Sequence, residues 1–185
     1  LHDALPILNK LNKLIFFKQM WVKDYMCDWV NTIHQEKTLA DATKQMVEQK
    51  TNSIVVIDDD KKPVGLVSTR LLIKQVVPEY LKNDPIFSMY GAEGTFDRYA
   101  EKVKDVKLEE FMITEFHTLS ENDAMIEAAA YAVKGVGRFI LVVNKEGLLV
   151  GAISRTCVKN ALYNALFKEE RIDPKKNNRD IKSNS

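Results

Sequence analysis

The spacing of apolar positions changes period several times along the chain, and the same order of changes occurs twice. Val30 to Ile33 is a short apolar stretch. Leu39, Ala42, Met46 and Val47 then recur at helix spacing. Two apolar runs follow, Ser53 to Asp58 and Val64 to Ser68, separated by the polar turn Asp58-Asp59-Asp60-Lys61-Lys62. A second helical pattern is predicted from Thr69 to about Leu81. Further on, Phe116 to Leu119 is again short and apolar. Met125, Ala128, Ala129, Ala132 and Val133 read as a helix, and Phe139 to Asn144 and Leu148 to Ser154 as a hairpin. A last helix is predicted from Arg155 to about Lys168. Thr38 with Asp41, and Ser120 with Asp123, are capping signals ahead of the first helix of each copy.

The two passages are one repeat at an offset of 86 positions. Over residues 26–76, without a gap, nine positions are identical to their partners: Met26, Thr32, Ala42, Val47, Ile54, Val56, Val64, Gly65 and Ser68. The unit is β-α-β-β-α. Ile54 to Ile57 and Phe139 to Val143 are apolar without interruption, which predicts strands buried on both faces. One face of each sheet therefore remains to be covered, and the two copies are expected to pack sheet against sheet about a pseudo-twofold axis.

Val22-Lys23-Asp24-Tyr25-Met26, Thr38-Leu39 with Ala42, and Val64-Gly65-Leu66-Val67-Ser68 with its counterpart Val150-Gly151-Ala152-Ile153-Ser154 make up an ordered, repeated set. In this order the chain resembles a tandem pair of CBS domains, a Bateman module, over residues 22–168. The fold class implied is α/β (α+β), two β-α-β-β-α repeats. The expected division is 1–21 leader and N-terminal helix, 22–81 first repeat, 82–105 linker, 106–168 second repeat and 169–185 disordered tail. Leu8, Leu11, Leu14 and Ile15 carry the helical spacing of the leader. In the linker, Phe87, Tyr90, Phe96 and Tyr99 are read as aromatics anchored on the module's own surface. A partner-binding or ligand-covering element is the alternative.

The resemblance also implies a site. Such modules bind an adenine nucleotide (AMP, ATP or similar) or a related adenosyl ligand between the copies and transmit its presence to a partner. Ser68 and Ser154 each end a strand and start a helix, where a serine caps and the helix N-terminus suits phosphate. Arg70 and Arg155 lie in those first turns. Ser53, Ile54, Phe139 and Ile140 begin the strands on which family members pack adenine, and Val30 and Phe116 are expected on the opposite wall. Family members that bind ribose usually carry Asp six residues after the signature glycine. Here those positions are Leu71 and Cys157. A ligand-free dimerisation scaffold is the alternative reading. A homodimer is expected, with Leu72, Val76, Val158 and Leu162 as candidate contacts, and the regulated protein is unknown.

Composition removes several other classes. With 27 Lys and Arg against 26 Asp and Glu, a net charge of +1 argues against nucleic acid or an anionic membrane as a partner. No apolar run approaches the roughly 20 residues of a membrane helix. Gly 7 and Pro 5 are too few for a fibrous or elastic chain. Cys27 and Cys157, without a C-x-x-C, allow one long-range disulfide. In a cytoplasmic, reducing setting they are instead read as two buried thiols. No required cofactor, metal site or catalytic residue is predicted. His34 reads as solvated, and His117 as a residue that could line a cleft. The Asp58-Asp59-Asp60 tip reads as a solvated charge cluster. The chain opens Leu1-His2-Asp3-Ala4-Leu5-Pro6-Ile7 without Met and without the charged and apolar regions of a signal peptide. It is read there as a processed chain, a fragment or a junction.

Overall fold

The computed structural model describes residues 19–83, 94–134 and 139–176. After the short helix α1 (Val22–Tyr25), the first copy contains β1 (Thr32–His34), α2 (Leu39–Glu48), β2 (Ser53–Ile57), β3 (Pro63–Ser68) and α3 (Thr69–Val76). Helices α4 (Glu79–Asn83) and α5 (Thr95–Val103) and a 3-10 turn (Leu108–Glu110) lead to the second copy. It contains β4 (Thr118–Ser120), α6 (Met125–Lys134), β5 (Phe139–Val143), β6 (Leu149–Ser154) and α7 (Arg155–Leu166). The class is mixed α+β. Each copy has one three-stranded sheet, in the orders β1-β2-β3 and β4-β5-β6, with the first pair parallel and the second antiparallel.

The strand faces alternate as the apolar runs require. Ile54 and Val56 point to the helices and join one core with Leu39, Ala42, Met46, Val67 and Leu72. Val55 points the other way and meets Leu141 and Ala152 of the second sheet, with Val30, Ile57, Leu66, Phe116 and Leu149 around them. This central cluster joins the two copies. Burying each large aliphatic side chain there contributes about 1.5–3 kcal/mol.

The halves are also joined by exchange. Val22, Tyr25 and Met26 open the first copy, yet they sit in the core of the second, with Leu119, Met125, Ala128, Ile140 and Ile153. Reciprocally, Leu108 is fully buried in the core of the first copy, with Phe111 and Met112 against it. The exchange obeys the repeat offset. The Val22 N–H donates to the Asp123 carbonyl at 2.9 Å and the Leu108 N–H to the Lys37 carbonyl at 2.9 Å. The Met125 N–H donates to Met20 and the Leu39 N–H to Val106, both at 2.9 Å. The bridges Cys27 to Ala152 and Leu66 to Ile113 are the same pair seen from the two ends of the pseudo-twofold. The linear copies and the packed halves are therefore different units.

Several local expectations are corrected. The helix predicted from Thr69 to Leu81 breaks: Val77 takes φ −77°, ψ 119°, because Pro78 disfavours helical geometry in the residue before it. Thr38 caps α2 through a reciprocal pair with Asp41. Ser120 and Asp123 do not cap α6, which starts only at Met125. They form a turn, with the Ser120 N–H donating to the Asp123 carboxylate at 2.7 Å. Residues 19–21 of the expected leader helix are not helical, and Trp21 is extended and bridged to Ala124. The rest of that helix, residues 1–7, Phe87 and Tyr90 lie outside the described residues. In the linker Phe96 is 67% exposed, so it is not anchored on the module, while Val103 packs on the first core. The first part of the expected tail is held to the fold. The buried Asn164 amide accepts from the Ile172 N–H at 2.9 Å and donates to the Ile172 carbonyl at 3.0 Å.

The signature glycines are explained by the exchange. A Cβ on Gly151 would lie 2.7 Å from the Cys27 carbonyl oxygen and 3.0 Å from the Met26 sulfur. A Cβ on Gly65 would overlap the Met112 sulfur. A thioether can turn aside, whereas a bridged backbone cannot without breaking its hydrogen bonds. Gly151→Ala is therefore expected to destabilise the chain by about 1–3 kcal/mol, and Gly65→Ala by less. Urea denaturation of the two variants measures both, and a larger loss for Gly65→Ala would contradict the argument.

Candidate functional site

The strand register gathers most of the predicted site residues at one end of each sheet. Ser53 pairs directly with Ser68, and Phe139 with Ser154. The parallel pairing of β1 with β2 begins only at Thr32 and Val55, so Ser53 and Ile54 run past the end of β1. In the second copy pairing begins at Thr118 and Leu141, and Phe139 and Ile140 run past β4 in the same way. Each copy thus places a projecting strand start beside the strand end that opens the following helix.

Ser68 and Ser154 are N-caps, accepting from the Leu71 and Cys157 N–H groups, each at 3.4 Å. Arg70 and Arg155 are exposed in those first turns, Arg70 second in α3 and Arg155 first in α7. The α3 terminus is partly engaged already, since the Thr69 N–H donates to the Asn52 carbonyl at 3.0 Å. Ile54 and Ile140 are 1% and 4% exposed and belong to the helix-side cores. Any contact they offer a ligand is through their backbone. Val30 and Phe116 pack on the central cluster between the sheets. The side chain of Phe139 lies outside the described residues.

The position where ribose-binding family members carry Asp is buried in the second copy. Cys157 has no exposed surface, and its sulfur lies 3.6 Å from that of Cys27. Neither cysteine is in a disulfide. The Cys157 sulfur also meets the Ser154 hydroxyl at 3.3 Å and accepts from the Ser154 N–H at 3.4 Å. The hydrogen bond from Cys27 lowers the Cys157 pKa to about 6; the Ser154 contacts lower it too, against burial. The same contact, together with burial, raises Cys27 above the ordinary thiol range. Leu71, the counterpart in the first copy, is half-buried.

The other candidates have structural partners. The His34 Nε2 lies 2.9 Å from an Asp59 carboxylate oxygen. Asp58 accepts from the Lys62 N–H at 2.8 Å within its turn. His117 stacks on Tyr131, with ring centroids 4.5 Å apart. Among the described residues no helix is long and apolar enough to cross a membrane. The sequence allows a link between Cys27 and Cys157 but, at 130 positions of separation, carries no local signal that the two thiols meet.

The thiol pair makes stability depend on pH. Cys157 is depressed in the fold, so between about pH 6 and the ordinary thiol pKa of 9.0 the unfolded chain holds the extra proton, and stability rises with pH. Above that range Cys27 keeps its proton in the fold and loses it when unfolded, so the trend reverses. Ultraviolet thiolate absorbance of the native chain is expected to show a step centred at about pH 6, displaced upward in Cys27→Ala. A step unmoved by that substitution would contradict the assignment.

The family model for the CBS domain matches residues 22–77 and 103–164. A comparison with curated proteins found no match. Among solved structures, the chain is similar to a CBS domain-containing protein of unknown function from Bacillus anthracis, with a TM-score of 0.65 at 23% identity over 80% of this chain and 96% of that one. It is also similar to the CBS-pair protein CBSX2 from Arabidopsis thaliana, with a TM-score of 0.64 at 20% identity over 83% and 99% of the two chains. A structure of CBSX2 in complex with AMP aligns with a TM-score of 0.58 at 21% identity over 79% and 98%. With two matched segments, two sheets of one topology and the exchange that relates them, the chain belongs to the CBS domain family and carries its domains as a tandem pair.

Proposed function

We propose that the chain is a regulatory Bateman module that binds an adenine nucleotide between its copies and passes the bound state to a partner protein. The observation that carries this reading is the register. It sets a strand start with backbone beyond the neighbouring strand (Ser53-Ile54, Phe139-Ile140) beside a capped helix N-terminus with an arginine in its first turn. One end suits the flat edge of a base, and the other suits phosphate. The similar CBSX2 was solved in complex with AMP, which supports the same ligand class here. The role is sensing and needs no catalytic group or required cofactor of its own. Domain limits of 22–81 and 106–168 go with this reading.

Leu71 and Cys157 favour a second reading, a ligand-free dimerisation scaffold. Neither side chain can take the ribose hydroxyls as a carboxylate would, and Cys157 is turned into the core. In either reading the chain pairs with a second copy through its helices. The contacts expected from sequence change. Leu72 and Val76 are buried, and Val158 packs on the second core. Leu162 remains exposed, joined by Ile73 on α3 and Leu166 on α7.

Two measurements test the reading. Calorimetry with AMP, ATP and adenosine on the full chain should show the phosphorylated ligands binding far more tightly than adenosine. Arg155→Ala should weaken AMP binding roughly ten- to a hundred-fold while hardly altering adenosine. No heat with any of the three would leave the scaffold reading. Light scattering is expected to show a dimer that Ile73→Asp with Leu162→Asp converts to monomer, and a wild-type monomer at micromolar concentrations would remove the dimer.

A further inference from the structure

Cys27 and Cys157 come from opposite ends of the module, 130 positions apart, and meet at 3.6 Å between their sulfurs. Both are held by their backbones. Cys27 exchanges two hydrogen bonds with Ala152 on β6, at 2.9 Å and 3.0 Å. Cys157 is fixed in the first turn of α7 by the reciprocal Ser154 contacts. Closing the sulfurs to the roughly 2.05 Å of a disulfide needs a side-chain displacement of about 1.5 Å. Access is unequal, because Cys27 is half-buried and Cys157 fully buried. At the pseudo-twofold counterpart of this spot stand Ile113 and Leu71, so the chemistry exists in one half only.

We propose that Cys27 and Cys157 form a reversible disulfide in the native fold, made by exchange with a low-molecular-weight disulfide of the glutathione class and entered at Cys27. The disulfide staples the exchanged opening segment to the helix that follows the second signature motif. In the first step the Cys27 sulfur attacks one sulfur of the oxidant. Cys157, held as the thiolate by its Cys27 and Ser154 contacts, takes the Cys27 proton along the S–H···S contact, the oxidant's S–S bond breaks, and one glutathione thiolate leaves. In the second step the Cys157 sulfur attacks the Cys27 sulfur of the mixed disulfide. The protein S–S bond forms, the second glutathione leaves, and the Cys157 proton goes to it. The protein thiol and thiolate are oxidised by two electrons together, and one glutathione disulfide is reduced to one glutathione thiolate and one glutathione thiol. The low pKa of Cys157 and the Ser154 contacts around it suit it to the resolving step. A dithiol reductant reverses both steps. None of this needs a ligand between the copies.

The test uses the full chain under native conditions, incubated with glutathione disulfide, blocked with N-ethylmaleimide and read by intact mass and peptide mapping. The wild type should lose two hydrogens, show the peptides of Cys27 and Cys157 joined within one chain, and return to the dithiol with dithiothreitol. Cys157→Ser should stop at a glutathione adduct on Cys27, and Cys27→Ser should leave Cys157 unmodified. The oxidised wild type should melt on the order of 5–10 °C above the reduced form, since the link closes a very long loop. A wild-type chain that stays a dithiol, stops at the Cys27 adduct, links only between chains or links only in urea overturns the proposal. Glutathione found on Cys157 of Cys27→Ser overturns the order of the steps. Equal or lower melting of the oxidised form overturns the staple.

Discussion

The contact on which the rest of the molecule depends is the backbone pairing of Cys27 with Ala152, repeated by symmetry as Ile113 with Leu66. Each pairing lets a segment from one copy enter the core of the other. Val22 and Leu108 are the deepest products of that entry, both fully buried in the half to which they do not belong in sequence. Neither half can complete its core from its own residues, so the two should fold together. The signature glycine is where this constraint meets the sequence. A residue with a side chain at Gly151 would collide with the Cys27 carbonyl, so the motif is steric before it is functional.

The fold was largely legible because its information is periodic. The offset of 86 and the doubly apolar strands Ile54–Ile57 and Phe139–Val143 gave the unit, its duplication and the sheet-to-sheet packing. The failures share a physical cause. A capping pattern such as Ser120 with Asp123 has the right residues for a helix start, but the same groups also close a turn, and tertiary hydrogen bonds from Val22 and Lys23 to that region decide between them. Pro78 overrides the helical period that runs on to Leu81, because Val77 before it is held extended. Asn164 reads as an ordinary helix residue until the chain beyond α7 folds back and Ile172 takes both sides of its amide.

The candidate site was legible in part. Ser53 meets Ser68, and Phe139 meets Ser154, because a hairpin register follows from turn length and apolar pattern, both readable from sequence. Ile54 and Ile140 were correctly placed on the strands but their side chains face the helices, as a period of two demands of residues next to Val55 and Leu141. The neighbourhood of Cys157 was not legible at all. It depends on which segment fills the space behind β6, and that is settled by the exchange rather than by anything near residue 157.

The pseudo-twofold also limits where the two halves can differ in function. Backbone pairings, strand faces and the Ser68 and Ser154 caps repeat, so unequal behaviour must come chiefly from side chains that break the repeat. The second half has Cys27 with Cys157 where the first has Ile113 with Leu71. The first half ties the α3 N-terminus to Asn52 through Thr69, and the equivalent residue in the second is Arg155, which is exposed. The second half thus has an exposed cation at the first helical position with a sulfur pair just behind it, while the first half has Thr69 there, Arg70 exposed one residue on, and Leu71 and Ile113 in place of the sulfurs. The thiol pair lies directly behind that helix turn, so the disulfide proposed above would act on the start of α7, in the second half alone.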